Sequence, residues 1–163
     1  MKKARSILLA VATTSAVLIL TLLPSTASAA SGASPAESHP SSGPTAAAAP
    51  EFNRAVAGFP PNTLPCIDTP GAGAKACYNN NDDSWWVLDT ARDGASAEAR
   101  WENERNGGLY RSGICRNSLG YDKWGVCNKN YYEDSLIRWR ACVYNGSTGT
   151  LVSCSDWAPL RYA

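Results

Sequence analysis

Asp82, Asp83, Asp89, Glu98, Glu102 and Glu133 are the side chains from which this 163-residue chain would have to draw a hydrolytic pair. A glycosidase needs two carboxyl groups close in space, whatever their separation in sequence. Other nucleophilic systems lack a component. The sole histidine, His39, stands in an Ala/Ser/Pro-rich stretch, so neither Ser-His-Asp nor Cys-His chemistry nor a His-rich zinc site can be built downstream of it. Glu98, Arg100 and Glu102 alternate along one segment, and Arg138 and Arg140 along another. That spacing reads as an exposed cross-strand charge ladder rather than an acid–base pair. The expectation is a non-enzymatic chain with no cofactor and no metal.

Two further motifs invite a ligand and are better explained locally. Asn79-Asn80-Asn81-Asp82-Asp83 is rich in oxygen donors but lacks the glycine and terminal glutamate of an EF-hand loop. It reads as a polar turn entering a strand. Asn145-Gly146-Ser147 fits a glycosylation sequon, yet a turn at that point wants the same residues.

Aromatic side chains remain. All six tryptophans and all seven tyrosines fall between Tyr78 and Tyr162. Trp86, Trp101, Trp124, Trp139 and Trp157 can all be placed inward as core. Trp85 points opposite Trp86 and shares its face with Asp89, which makes Trp85 the exposed member of the pair. With Tyr144 and the loop residues Tyr121, Tyr131 and Tyr132 it forms a candidate binding patch.

The cysteines form three couples, Cys66 with Cys77, Cys115 with Cys127, and Cys142 with Cys154, each about a dozen residues apart. An even count in a short exported chain indicates a disulfide framework and leaves no free thiolate. Sequential pairing is one of fifteen connectivities. It places Ser147, Thr148 and Gly149 at the tip of the last hairpin and Thr69-Pro70-Gly71 inside the first loop. Each such loop removes on the order of 3 kcal/mol of unfolded-state freedom.

The elements that must position these residues begin after an export signal. Lys2, Lys3 and Arg5, the apolar stretch Ile7 to Leu23 and Ala27-Ser28-Ala29 describe a signal peptide over residues 1–29, cut after Ala29. Residues 30–61 read as an Ala/Ser/Pro-rich disordered linker. Within it, Phe52, Val56 and Phe59 leave the stretch 51–61 open between docking and removal as a pro-segment. The domain is expected over residues 62–163. Without Lys2, Lys3 and Arg5 the count is 12 basic against 14 acidic residues, a net of −2. No basic run remains, which argues against nucleic acid and against strong adhesion to anionic membranes; no stable membrane insertion is expected once the signal is cut. Oligomeric state is left open.

Downstream of Asn62, apolar and polar residues alternate with a period of two between turn signals. Strands are expected at Trp85–Ala91, Ser96–Asn103, Leu109–Arg116, Lys123–Asn128, Ser135–Tyr144 and Thr150–Trp157. Asp93-Gly94 would join the first two as a hairpin, and Asn106-Gly107-Gly108 the next. The fold class is all-β: a single small antiparallel β-sandwich or barrel of about six strands with disulfide-clipped hairpins, preceded by a disordered tether. Alternation puts Ile137, Trp139, Ala141 and Val143 inward, with Ala97, Ala99 and Trp101. It likewise puts Tyr110, Ile114, Trp124 and Val126 inward, so that Cys115, Cys127 and Cys142 fall on the charged outer face.

Asp83 to Trp157, about half of the chain, carries D-T-A-R-D-G-A-S-A, G-I-C-R-N, W-G-V-C-N and I-R-W-R-A-C-V-Y-N. It resembles small secreted, disulfide-containing proteins of uncharacterised function from high-GC Gram-positive bacteria. The resemblance implies export and a β fold, carries no catalytic residue, and leaves out the first cysteine couple. The functional expectation is a secreted binding module for a surface glycan or an extracellular partner protein. A disulfide-locked inhibitor or antibacterial factor is the alternative, and a small carboxylate glycosidase the second.

Overall fold

Turn chemistry decides most of the path. The computed structural model describes residues 48–163; the expected signal peptide and residues 30–47 of the expected linker lie outside them. Eleven strands and no helix occur among the described residues. They are β1 (Glu51–Arg54), β2 (Val56–Ala57), β3 (Cys66–Asp68), β4 (Ala74–Asn79), β5 (Ser84–Asp89) and β6 (Ser96–Arg105). β7 (Gly108–Asn117), β8 (Trp124–Asn128), β9 (Leu136–Asn145), β10 (Thr150–Cys154) and β11 (Arg161–Tyr162) follow. β6 and β7 meet through Asn106-Gly107, both at positive φ (55° and 76°), the geometry that suits strand twist in a two-residue hairpin.

Asp93-Gly94 behaves differently from its expected role as a hairpin turn. The strands it connects, β5 and β6, lie in different sheets. Asp93 accepts the Ala95 N–H at 2.9 Å and Gly94 takes φ 75°. The dipeptide bends the chain, and pairing elsewhere sends it across. One sheet has the order β1-β7-β6-β9-β10, with β11 also on β9; the other has the order β2-β8-β5-β4-β3. They pack as a two-layer sandwich not closed into a barrel.

Between the layers lies an aromatic core. Trp85 and Trp101 stack across it with planes 7° apart and centroids 6.3 Å apart, and Tyr78, Tyr131 and Trp139 surround them. Each ring of this size contributes about 4–6 kcal/mol by area removed from water. Two of the three core indole N–H groups find acceptors in this dry place, and Trp101 Nε1 has none among the described residues. Trp139 Nε1 donates to the Ala76 carbonyl of the facing sheet at 3.1 Å, and Trp85 Nε1 to Tyr131 Oη at 2.9 Å.

The stretch 51–61 joins the domain. β1 adds to β7 in parallel and β2 pairs antiparallel with β8. At Ala55, whose N–H bonds the Arg116 carbonyl at 2.8 Å, this arm passes from one sheet to the other. Among the described residues regular structure therefore starts at Glu51, ahead of the expected Asn62. Two cations hold the arm down. Glu51 accepts from Arg111 Nε and from Lys129 Nζ, each at 2.7 Å, and Lys129 also reaches Asn53. Farther along, the Gly58 backbone lies on Trp86, where a Cβ would meet the ring at 3.0 Å.

The three bridges are Cys66–Cys77, Cys115–Cys127 and Cys142–Cys154. The first and third join directly opposed residues of neighbouring strands. The second corrects the face assignment. Cys115 and Cys127 are buried in the core, and their bond joins β7 of one sheet to β8 of the other. Register explains the reversal. A bulge beside Asn103–Glu104 leaves Tyr110 without an opposite residue and shifts Ala99 to face Cys115. One such slip turns every following side chain over, so Ile114 points outward and Cys115 inward. On β8, Trp124 and Val126 point outward for a related reason. Cys127 stands opposite Trp85, which is core, and Gly125 leaves room for Asn117, whose amide donates to the Val87 and Lys123 carbonyls at 2.7 Å each.

All three bridges close loops of 11 or 12 residues, so loop closure alone assigns them equal value. Position does not. Replacing Cys115 and Cys127 together by Ala should cost about 3 kcal/mol or more in guanidinium unfolding, and more than removing Cys66–Cys77, because it also opens a void between the sheets. Acid should loosen the arm as well. Arg111 and then Lys129 hold the Glu51 carboxyl down from 4.5 to about 2. A depressed carboxyl stabilises the fold above its unfolded value and ceases to do so as pH falls through its folded value. Stability should thus drop between pH 4.5 and 2 by about 1–2 kcal/mol after allowing for solvent screening, a component that Glu51→Gln removes.

Candidate functional site

Trp85, expected at the surface, is fully buried. Its ring lies 4.5 Å from Tyr78, its opposite residue on β4, and its N–H is taken by Tyr131, which is buried too. Asp89 misled the face assignment. It does share the face of Trp85, but that face is the core, and Asp89 is buried with it while accepting the Ala91 N–H at 3.1 Å. Burial raises its carboxyl above the ordinary range. Trp86 is the outward member of the pair, covered by the arm.

The remaining tyrosines of the expected patch are dispersed. Tyr121 borders a cleft with Asp89 and Arg92, and Tyr132 borders another with Tyr110 and Arg111. Tyr144 stands on the outer face of the six-stranded sheet, opposite Ser96 and Leu151. Each already carries a guanidinium over its ring: Arg92 at 4.3 Å on Tyr121, Arg105 at 3.5 Å on Tyr132 and Arg116 at 3.5 Å on Tyr144.

All the candidate carboxylates but Glu133 are likewise engaged. Asp82 accepts from Ser84, and Asp83 accepts from Tyr78 Oη at 2.8 Å and the Tyr131 N–H at 2.7 Å. Burial and the Asp83 carboxylate push the Tyr78 phenol well above its usual range, and burial does the same to Tyr131. Asn79, Asp82 and Asp83 of this turn thus spend side-chain oxygens on protein donors. Glu98 and Glu102 belong to the sheet face described next, and Glu133 is exposed on the loop before β9. Asn145 uses its side-chain oxygen on the Ser147 N–H at 2.9 Å, the turn role expected of it. Among the described residues no three His, Cys, Asp or Glu side chains converge as a metal site would require.

The outer face of the six-stranded sheet holds a denser constellation. Register builds three cross-strand rows there: Arg54, Arg116, Glu98 and Cys142; Phe52, Ile114, Arg100 and Arg140; Ser112, Glu102 and Arg138. Five arginines meet two glutamates. Glu98 is fully buried and accepts from Arg116 Nε at 2.6 Å and Arg100 Nε at 2.8 Å. Glu102 accepts from Arg138 Nε at 2.8 Å. Trp157, on the segment between β10 and β11, lies under Arg140 at 4.7 Å and Arg138 at 5.1 Å. Planar guanidinium forks on a flat face suit carboxylates and other planar anions. The sequence displays this surplus in Arg138 and Arg140 against Glu98, Arg100 and Glu102. Arg116 and Ile114 were hidden by the bulge, and Trp157 by its assignment to the core.

The buried aromatic cluster is testable as structure. Trp85→Ala should cost about 3–5 kcal/mol in chemical unfolding. Tyr131→Phe, which strands the Trp85 N–H, should cost about 1–3 kcal/mol. No protein-family model matches the chain, and neither does any curated protein or solved structure.

Proposed function

We propose that this chain is an exported, non-enzymatic binding module, and that it binds through the three arginine rows to an extracellular protein presenting carboxylates. Three intramolecular disulfides are typical of extracellular proteins and suit an oxidising compartment. The observation that carries the reading is the charge surplus of five arginines over two glutamates in three adjoining rows of one sheet face, with Glu104 in the next row, in a chain whose mature sequence is slightly acidic. Arg, Trp and Tyr are the residues that dominate protein interfaces, and here Arg116 lies between Phe52 and Tyr144 while Arg140 lies on Trp157. A protein partner is favoured over a stacked sugar because Tyr121, Tyr132 and Tyr144 already bear guanidinium groups. A binding role is favoured over hydrolysis because the best-placed carboxylates, Glu98 and Glu102, are committed to arginines.

Immobilised poly-L-glutamate serves as the probe for carboxylate-bearing polypeptide. The full exported chain should be retained at low ionic strength and released by salt. The pair Arg54→Glu and Arg138→Gln should weaken retention at least tenfold without lowering thermal stability appreciably, since both side chains lie near solvent. Retention on chitin or cellulose that both substitutions leave unchanged, with none on poly-L-glutamate, would overturn the reading in favour of sugar stacking.

A further inference from the structure

β6 and β9 place Arg100 directly opposite Arg140, two like charges across one strand pair, an arrangement that is unfavourable alone. Arg100 is relieved by Glu98, to which it donates through Nε. Among the described residues Arg140 has no carboxylate within ion-pair distance, and its Nε is buried without an acceptor. Neighbouring carboxylates are already used: Glu98 by Arg100 and Arg116, Glu102 by Arg138. A buried charged donor left unpaired is costly, and folds keep such features chiefly where function needs them.

These two guanidinium groups border a cleft of about 130 Å³, smaller than the clefts of about 440 Å³ beside Trp124 and Tyr132. Ser112 offers a hydroxyl to its wall, Ile114 and Trp157 offer apolar surface, and Glu102 stands at the rim. We infer that this slot takes a single carboxylate, the side chain of an Asp or Glu on the partner protein. Its two oxygens would accept from Arg140 and Arg100 while its methylene stem packs on Ile114 and Trp157. The small volume and the apolar wall of Ile114 and Trp157 suit a planar carboxylate on a methylene stem better than a tetrahedral phosphate. The inference rests on the arginine face being the binding surface, and it narrows that face to one anchoring contact.

The test uses sodium acetate as probe and the Arg140 Nε–H and Trp157 indole N–H signals of the full exported chain in nitrogen–proton correlation spectra. Acetate should shift both signals saturably in the millimolar range, whereas sodium chloride at equal ionic strength should not. Arg140→Gln should abolish the saturable shift of the Trp157 signal. Arg140→Lys, which keeps the charge but loses the fork, should weaken it at least tenfold. Neither variant should melt below the wild type, and Arg140→Gln, which removes the unpaired charge, should melt at or above it. Shifts that are linear, that chloride reproduces, or that persist in Arg140→Gln would overturn the assignment, as would tighter binding of inorganic phosphate than of acetate. Failure here separates from failure of the wider reading. Poly-L-glutamate retention that depends on Arg54 and Arg138, without acetate saturation, removes the slot and keeps the face. Acetate saturation without such retention keeps the slot as a carboxylate site and removes the face.

Discussion

One extra residue in the β6–β7 hairpin governs most of what lies around it. Because Tyr110 has no opposite residue, register slips by one and Cys115 turns inward against Ala99. Only from there can it reach Cys127 on the other sheet. The same slip turns Ile114 and Arg116 outward, where Arg116 finds Glu98 and Tyr144. Without the bulge, Arg116 would enter an aromatic core with no acceptor, the inter-sheet bond could not form and the cationic rows would lose a column. A local irregularity thus sets the covalent closure of the sandwich and the chemistry of its surface together.

The side of the sandwich closed by that bond is also the side the arm straps. β1 and β2 supply hydrogen-bond partners to β7 and β8, and the sheet change at Ala55 sits near Cys115 and Cys127. Short strands here do what a longer sheet edge would otherwise leave undone: β1 and β2 cover edges that would present free N–H and C=O groups. Glu51 adds an electrostatic latch, placed between two cations that also lie near the Trp101 ring, Lys129 at 5.1 Å and Arg111 at 5.8 Å.

Six strands were legible because their turn residues and period-two alternation agree, and β5 through β10 occupy those positions within a few residues. Strands β3 and β4 lacked an alternating pattern, since β4 is buried almost throughout. β1 and β2 were submerged in a composition that reads as linker. Alternation fixes which residues share a face, but it cannot say which face is core when both carry tryptophan, as at Trp85 and Trp86. Long-range register decides that, and a bulge leaves no mark in composition. The candidate site was half visible for the same reason. Its β6 and β9 arginines stood out as a ladder, while its β7 column depended on the bulge.

The unequal depth of the three bridges shapes how the domain would meet a reductant. Thiol–disulfide exchange requires a thiolate to reach a sulfur, so solvent access orders the reaction. Cys66 is exposed, whereas Cys115 and Cys127 lie behind both sheets and the arm. Reduction would start at the β3–β4 hairpin and could reach the inter-sheet bond only after the layers part. The chain is armoured from the inside outward: its covalent connections fail last where the two sheets most need them.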